Sequence, residues 1–438
     1  MDASPLQYLA RQCGRVLTGV ALFVLLIAAP LTATPSAAPA PGGYFTTPAE
    51  LAAIKQQAAR TVEPHATHVA ELLALPVLAT PHYWIGQTRL RGPQLCSDGT
   101  QRDAQGRRLP RGPTYLVEGG RLVYAKMLAA HLHPDRATAE AYARDARRRI
   151  LELTNSTDWG GNRYNASNQC ILYLSWYVNG FVSGADLLET FPQIWKPEDR
   201  RTFEHWLANH VYPKVAWASR ARTGNWGSAG SYAAALIGDY LNASGRMLIE
   251  VQPERRSITP AAAYREHTAE QLQRMSTTIA SRDELDAKCL PYKGIQPSGG
   301  IPEELRRADL DDPLVLCNAT YLPAITGPYE PAYIYQMTQI EDLIAHAELA
   351  WRRGDDSLYT NRAADDSGSL LRAIHFVIAN PSNPNASYDW DNFRKAQLFV
   401  ANRFYNDPAI GAQLGSGTLR GGDIVTYGRL THATSPNP

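Results

Sequence analysis

The chain is 438 residues long, with 43 Lys and Arg against 42 Asp and Glu, a net charge of +1 and 44% hydrophobic residues. That balance excludes attraction to nucleic acid or to a membrane surface through bulk charge, so any affinity for a polyanion has to be local to a cleft. The apolar content is ample for a core, and the length is compatible with one large helical domain.

At the N-terminus Arg11 and Arg15 precede an apolar run from Val16 to Ala29, followed by Pro30 and Leu31-Thr32-Ala33. A basic flank, a short apolar stretch and small residues after it predict a secretory signal over residues 1–33. The run is shorter than the roughly 20 residues a membrane span needs; an uncleaved helical anchor is the alternative. Residues 34–43, rich in Ala, Pro and Ser, read as a linker, which leaves 44–438 as a single domain. The expected location is extracellular or periplasmic, without stable membrane association once the signal is removed. Cys13 falls within the signal, and Cys96, Cys170, Cys289 and Cys317 remain. An even set in an exported chain permits two disulfides, of which Cys289–Cys317 is the most attractive because it closes one Gly/Pro-rich loop. No two of the four form a CxxC pair, which argues against zinc, and no cofactor is expected. Asn155, Asn165, Asn242, Asn318 and Asn385 each open an N-x-S/T sequon, relevant where the source glycosylates.

Helical periodicity runs through the rest. The first helix spans Pro48 to Arg60, with Thr47 as N-cap and proline in the first turn. Helices over Tyr115–His131 and Ala137–Leu153 follow, the second charged on one face and apolar on the other. Gln169–Glu189 is apolar almost all round and reads as a buried inner helix. Pro197–Val215, Ser228–Leu241 and Pro260–Ile279 come next, then the strongest, Pro331–Arg353, and finally Leu370–Ile378 and Asp391–Phe404. No period-two alternation and no βαβ rhythm occur. Amphipathic and all-apolar helices alternating without a sequence repeat predict an all-α fold, an (α/α) toroid or incomplete barrel. Three segments are too irregular for ordinary connections: Arg89–Gly112 with Arg102, Arg107, Arg108 and Arg111, Thr154–Asn168 with Trp159 and Tyr164, and Pro291–Pro331. Such long loops are frequently lids or binding loops.

Three constellations could carry chemistry. Thr223-Gly224-Asn225-Trp226-Gly227-Ser228 opens a small-residue helix, where an amide side chain and free backbone N–H groups can hold a carboxylate; an ordinary N-cap with a core tryptophan is the plainer reading. Gly299-Gly300-Ile301-Pro302-Glu303-Glu304-Leu305-Arg306-Arg307 turns a loop into a helix, with first-turn ion pairs as its plain reading. Tyr333-Ile334-Tyr335-Gln336 begins the long helix. In order and context these resemble the alginate lyase superfamily of polysaccharide lyases. Its toroid carries an Asn-His or Asn-Trp motif opening a helix, a Pro-x-Glu-x-x-Arg segment, and a Tyr that leads through apolar residues to Gly-Asp. Here these are Asn225-Trp226, Pro302 to Arg307, and Tyr335 with Ile340, Leu343 and Ala347 leading to Gly354-Asp355. The resemblance covers about Glu50 to Asn406. Trp226 stands where many members have a catalytic His, as in the Asn-Trp branch; His205 and His210 are candidates for an assisting His.

The resemblance implies a single catalytic domain that cuts an anionic polysaccharide, a 4-linked uronic-acid polymer such as alginate, polymannuronate or glucuronan, by β-elimination. Removing the C5 proton beside an ionised carboxylate requires that carboxylate to be neutralised by preorganised donors, a part that falls to Asn225 and Arg307. Tyr335 would act as base at C5 and acid at O4. Tyrosine ordinarily titrates near 10, and a guanidinium beside it, from Arg307 or Arg306, would favour the phenolate. Trp226, Arg306, Tyr333, Trp159 and Tyr164 are the expected substrate-binding residues, and the Arg102–Arg111 loop a possible lid. A helical-toroid glycoside hydrolase would draw instead on Glu303, Glu304, Asp309, Asp311 and Asp312. A non-catalytic polysaccharide-binding protein would keep the aromatics and arginines without an activated tyrosine.

Overall fold

Thr47 and Glu50 close a capping box ahead of α1 (Pro48–Ala59): the Glu50 amide donates to Thr47 Oγ1 at 3.1 Å and the Thr47 amide to Glu50 Oε2 at 2.6 Å. Glu50 also receives Arg352 at 3.1 Å and Arg403 at 2.7 Å. Burial raises the Glu50 pKa, but these two guanidiniums outweigh it and bring it to about 2, so the first helix is tied by charge to the last third of the chain. The computed structural model describes residues 43–79, 112–154, 169–222, 224–250, 255–276, 294–297, 299–301, 304, 330–379, 390–415, 419, 421–422 and 424–433; in the helices that begin at 112, 169, 330 and 390 several early residues are described through their backbone only. All of these belong to one unit, 40–438. Cys96, Cys289 and Cys317, and the irregular segments between 89 and 111 and between 155 and 168, lie outside the described residues.

After α1 come α2 (His65–Leu73), α3 (Pro76–Ala79), α4 (Gly112–Leu132), α5 (Arg136–Thr154), α6 (Gln169–Leu188) and α7 (Pro197–Trp206). A π turn, Leu207–Val211, leads into α8 (Tyr212–Ala221). One helix was expected over Pro197–Val215; Pro213 explains the interruption. It has no N–H to donate, and the chain passes it with the Tyr212 amide bonded to Leu207 O, one residue further back than α-helical register. Then follow α9 (Gly224–Leu241), a 3-10 turn Asn242–Ser244 in which the sequon residue Asn242 is exposed, β1 (Leu248–Glu250), β2 (Arg256–Ile258) and α10 (Pro260–Met275). The chain closes with α11 (Glu330–Trp351), α12 (Ser357–Thr360), α13 (Leu370–Ala379), α14 (Trp390–Tyr405), α15 (Pro408–Gly411) and α16 (Gly428–Thr431). The hairpin, with Leu248 opposite Ile258 and Glu250 opposite Arg256, was not anticipated, since strands this short show no alternation.

Helix directions establish the expected toroid. Gly120 of α4 lies against Tyr177 O of α6, and Val123 meets Gly184, so the two run parallel in close approach. α9 and α11 are parallel as well: Ser228 bonds Gln339, and further along Tyr232 packs against His346 with ring centroids 6.0 Å apart. Outer helices run the other way. Gly230 of α9 sits by Ala218 and Ser219 of α8, while Gly227 and Gly238 meet opposite ends of α10 at Arg274 and Pro260. α9 is buried along nearly its whole length, and its Gly, Ala and Ser residues let neighbours on three sides approach. Ile171, at the start of α6, packs with Trp217 and Ala218 at the end of α8 that meets Gly230, so the N-termini of α4, α6, α9 and α11 share one end of the ring. The chain after α15 seals the interior: Glu341 of α11 accepts the amides of Ile424 and Val425 at 2.8 and 2.7 Å, Asn179 of α6 donates to Ile424 O at 2.8 Å, and Arg121 of α4 to Gly422 O at 3.0 Å.

Candidate active site

Gly224 enters α9 at φ +59°, a conformation only glycine adopts freely, and so turns the chain sharply out of α8. Asn225 follows, 1% exposed. Its backbone N–H donates to Glu304 Oε1 at 2.5 Å. Neither the Nδ2 nor the Oδ1 of its side chain has a hydrogen-bond partner among the described residues. A buried amide left unsatisfied costs about 1–3 kcal/mol, and native proteins keep such a group where it meets a ligand or water. It sits in the first turn of an 18-residue helix, whose N-terminal partial charge favours an anion. The carboxylate of Glu304, fully buried, occupies one backbone donor of that turn, which leaves the side-chain amide as the donor that Asn225 has to offer a ligand.

Two further elements converge on the turn. The loop Gln296–Gly300 is closed by Gly299 N to Gln296 O at 2.8 Å and Gln296 N to Gly300 O at 2.9 Å, with Gly299 at φ +91°. Gln336 of α11 pins it, accepting from Ile301 N at 3.0 Å and donating to Gly299 O at 3.2 Å. Three residues on, Gln339 donates to Ser228 Oγ at 3.2 Å, next to Asn225 in the first turn of α9. Tyr335, half-buried, stands one helical turn before Gln339 on the same face of α11. The structure thus brings the Asn225 turn, residues 299–301 with Glu304, and the start of α11 into one place. Tyr333 lies on that first turn with its side chain undescribed; Arg306, Arg307, Trp159 and Tyr164 lie outside the described residues, as do Glu303, Asp309, Asp311 and Asp312.

Trp226 is half-buried and carries the Arg222 guanidinium 4.9 Å from its ring centroid; the same guanidinium lies 5.9 Å from Trp217. An aromatic group not singled out from the sequence faces the same end of the ring. Tyr173 and Tyr177 of α6 stack at 6.1 Å, Trp176 meets both edge-on, and Arg121 lies 5.8 Å over Tyr177. Asn179 bonds the Tyr232 phenol. Counting back about two turns on each of these parallel helices puts Tyr173 level with Asn225. Such a platform suits the apolar face of a sugar ring.

The histidines considered for an assisting role are elsewhere. His205 bonds Asn209 at 3.0 Å, and burial together with Lys214 lowers His210; the latter stands about 18 Å along the helix from Arg222. His346 is buried on α11 with Nε2 3.0 Å from Thr268 Oγ1, and burial, with His267 and Arg274 beside it, lowers its pKa to about 3. Among the described residues no cluster of His, Cys, Asp and Glu is arranged to hold a metal.

No family model and no curated protein sequence matches this chain; the likeness to known proteins is one of fold. An alginate lyase from Bacteroides ovatus superposes with a TM-score of 0.55 at 16% identity, covering 90% of this chain and 99% of that one. A histidine variant of alginate lyase A1-III, from Sphingomonas species A1, complexed with tetrasaccharide gives 0.52 at 13% identity, covering 89% and 96%. The chain therefore has the fold of these enzymes along almost its whole length, as the helical pattern and the motif order implied.

Proposed function

We propose that the chain is a polysaccharide lyase that cleaves a 4-linked uronic-acid polymer by β-elimination. The observation that carries this reading is the buried Asn225 amide at a helix N-terminus, without a hydrogen-bond partner among the described residues and joined through Gln339–Ser228 to the turn of α11 that bears Tyr335, on a toroid shared with alginate lyases. In the reaction the amide donates to the substrate carboxylate and lowers the energy of the enolate-like state. Tyr335 takes the C5 proton and returns it to O4, which fits substrates whose leaving groups share one face. Arg306 or Arg307 assists both steps, and Trp226, Tyr333, Trp159 and Tyr164 hold neighbouring sugars. Residues 1–33 act as an export signal and 34–43 as a linker to the catalytic domain 44–438. Among the described residues no helix is long and apolar enough to cross a membrane.

The test is digestion of mannuronan, guluronan and glucuronan, read by the ultraviolet absorbance of unsaturated uronate. Activity on at least one of them is expected, and Tyr335→Phe should abolish turnover while binding persists. New reducing ends without that absorbance would make the protein a hydrolase, and an unchanged Tyr335→Phe rate would remove the tyrosine from the mechanism.

A further inference from the structure

The Asn225 amide is only as well aimed as the turn that carries it, and α10 grips that turn. His267, Glu270 and Arg274 follow one another on α10 at the spacing that places them on one face. Ser219, near the end of α8, is held there from both sides of its residue. Its hydroxyl donates to Glu270 Oε2 at 2.5 Å and lies 3.0 Å from His267 Nδ1, while its carbonyl accepts from Arg274 Nη2. The same hydroxyl meets Ser231 of α9 at 2.7 Å. The Arg274 guanidinium also rests on Gly227, where a Cβ would come within 2.8 Å of Cζ and 2.9 Å of Nε. Arg222 O approaches Gly227 from the other arm of the turn. Arg274 thus touches the chain before the turn and after it, with Arg222, Gly224 and Asn225 between.

We propose that Arg274 is a positioning residue: by bridging Ser219 and Gly227 it fixes the α8–α9 turn and so aims the Asn225 amide at the substrate carboxylate. The inference rests on the lyase reading of Asn225. A guanidinium is needed because one planar group both donates to the carbonyl and lies against the glycine; a lysine ammonium can do only the first. Small misplacements of a polar group at a reacting centre cost about 100-fold in rate.

Wild type, Arg274→Ala, Arg274→Lys and Gly227→Ala would be compared by steady-state kinetics on whichever polyuronate the wild type degrades, and by hydrogen–deuterium exchange without substrate. Arg274→Ala should lower kcat about 100-fold with KM changed less than about 3-fold. Exchange should quicken in peptides covering 220–232 and stay unaltered in α5. Arg274→Lys should recover part of both effects, and Gly227→Ala, whose Cβ would meet the Arg222 carbonyl as well as the guanidinium, should displace the turn directly and lower kcat in the same direction. Should Arg274→Ala not fold, Arg274→Lys carries the test, with a smaller loss of kcat and a smaller rise in exchange over 220–232 expected. A kcat within about 2-fold of wild type, or unaltered exchange over 220–232, overturns the proposal. A wild type inactive on every polyuronate would refute the lyase reading instead; exchange then decides alone whether Arg274 holds the turn, and the catalytic half of the proposal falls.

Discussion

His267 should set an alkaline limit on the stability of this protein. It is fully buried, with Glu250 of β1 at 3.2 Å, Glu270 of α10 at 2.9 Å, and from α8 the Tyr212 hydroxyl at 3.2 Å and Ser219 at 3.0 Å. Arg220 bonds Glu250, Glu266 and Glu270, and Arg256 bonds Glu250 and Glu266; His346 of α11 faces the group, with Arg274 near it. Both ring nitrogens of His267 face carboxylates, Glu250 at Nε2 and Glu270 at Nδ1, an arrangement that favours the protonated imidazole. Burial lowers the His267 pKa, but the hydrogen bonds and charges of Glu250 and Glu270 outweigh it and hold it above the ordinary 6.5. For Glu270 burial raises the pKa, and His267, Ser219 and Arg220 more than reverse this, to about 2. The stabilisation from His267 is thus whole below about pH 6.5 and is lost as pH rises through its folded pKa; that from Glu270 is whole above about pH 4.5 and lost as pH falls towards 2. His267→Gln strands a buried carboxylate charge, a loss of about 3–5 kcal/mol. At roughly 2.1 cal/mol/K per residue over a domain of this length, Tm should fall about 4–6 °C near pH 6. Thermal unfolding followed by circular dichroism from pH 5 to 9 should show wild-type Tm declining on the alkaline side and the gap to the variant closing. A gap that stays constant over that range would refute a charged His267.

Asn225→Ala should lower kcat/KM at least about 100-fold without lowering Tm, because the deleted amide has no hydrogen-bond partner among the described residues; a Tm drop of several degrees with activity retained would mark it as an ordinary cap. Glu341→Ala removes the acceptor of two buried amides, Ile424 and Val425, and should cost about 2–5 kcal/mol and release the C-terminal segment to protease first, with Glu341→Gln much milder. Limited proteolysis followed by mass spectrometry reads this, and equal sensitivity of wild type and Glu341→Ala would count against the anchoring role.

What the sequence could show follows from the range over which each signal acts. Thr47, Pro48 and Glu50 encode the first helix locally, and the long apolar pattern from 331 to 353 encodes α11 to within a residue or two of its bounds. α9 begins at Gly224 rather than Ser228, because the Asn225-Trp226 motif at its entrance forms its first turn. The nine-residue α2 passed unseen: its buried residues His65, His68, Val69 and Leu72 include two histidines, which weaken an apolar stripe. In the candidate site, the place of Asn225 at a helix N-terminus was legible from the small-residue helix that follows it. Gln336 and Gln339 left a readable sign, polar side chains on a helix otherwise too apolar to face water, and with Asp342 and His346 they form a buried polar stripe towards α9 and α10. The platform left only a local sign: Tyr173, Trp176 and Tyr177 share a face of α6 at helical spacing, as core aromatics do, and Arg121 joins them from α4 only once the helices pack.

The knot around His267 shows why charge patterns mislead in such a chain. Glu266, His267, Glu270 and Arg274 on one helix have the spacing of solvated i,i+3 and i,i+4 pairs, and by that rule they face water. Glu266 does, at 43% exposed, whereas His267 is fully covered. The difference comes from Glu250 and Arg256, delivered by a pair of three-residue strands that no periodicity announces. With Glu250 and Arg256 in place the α10 face becomes a buried junction between the outer helices and the Asn225 turn, and charges with the spacing of a solvent coat hold that turn.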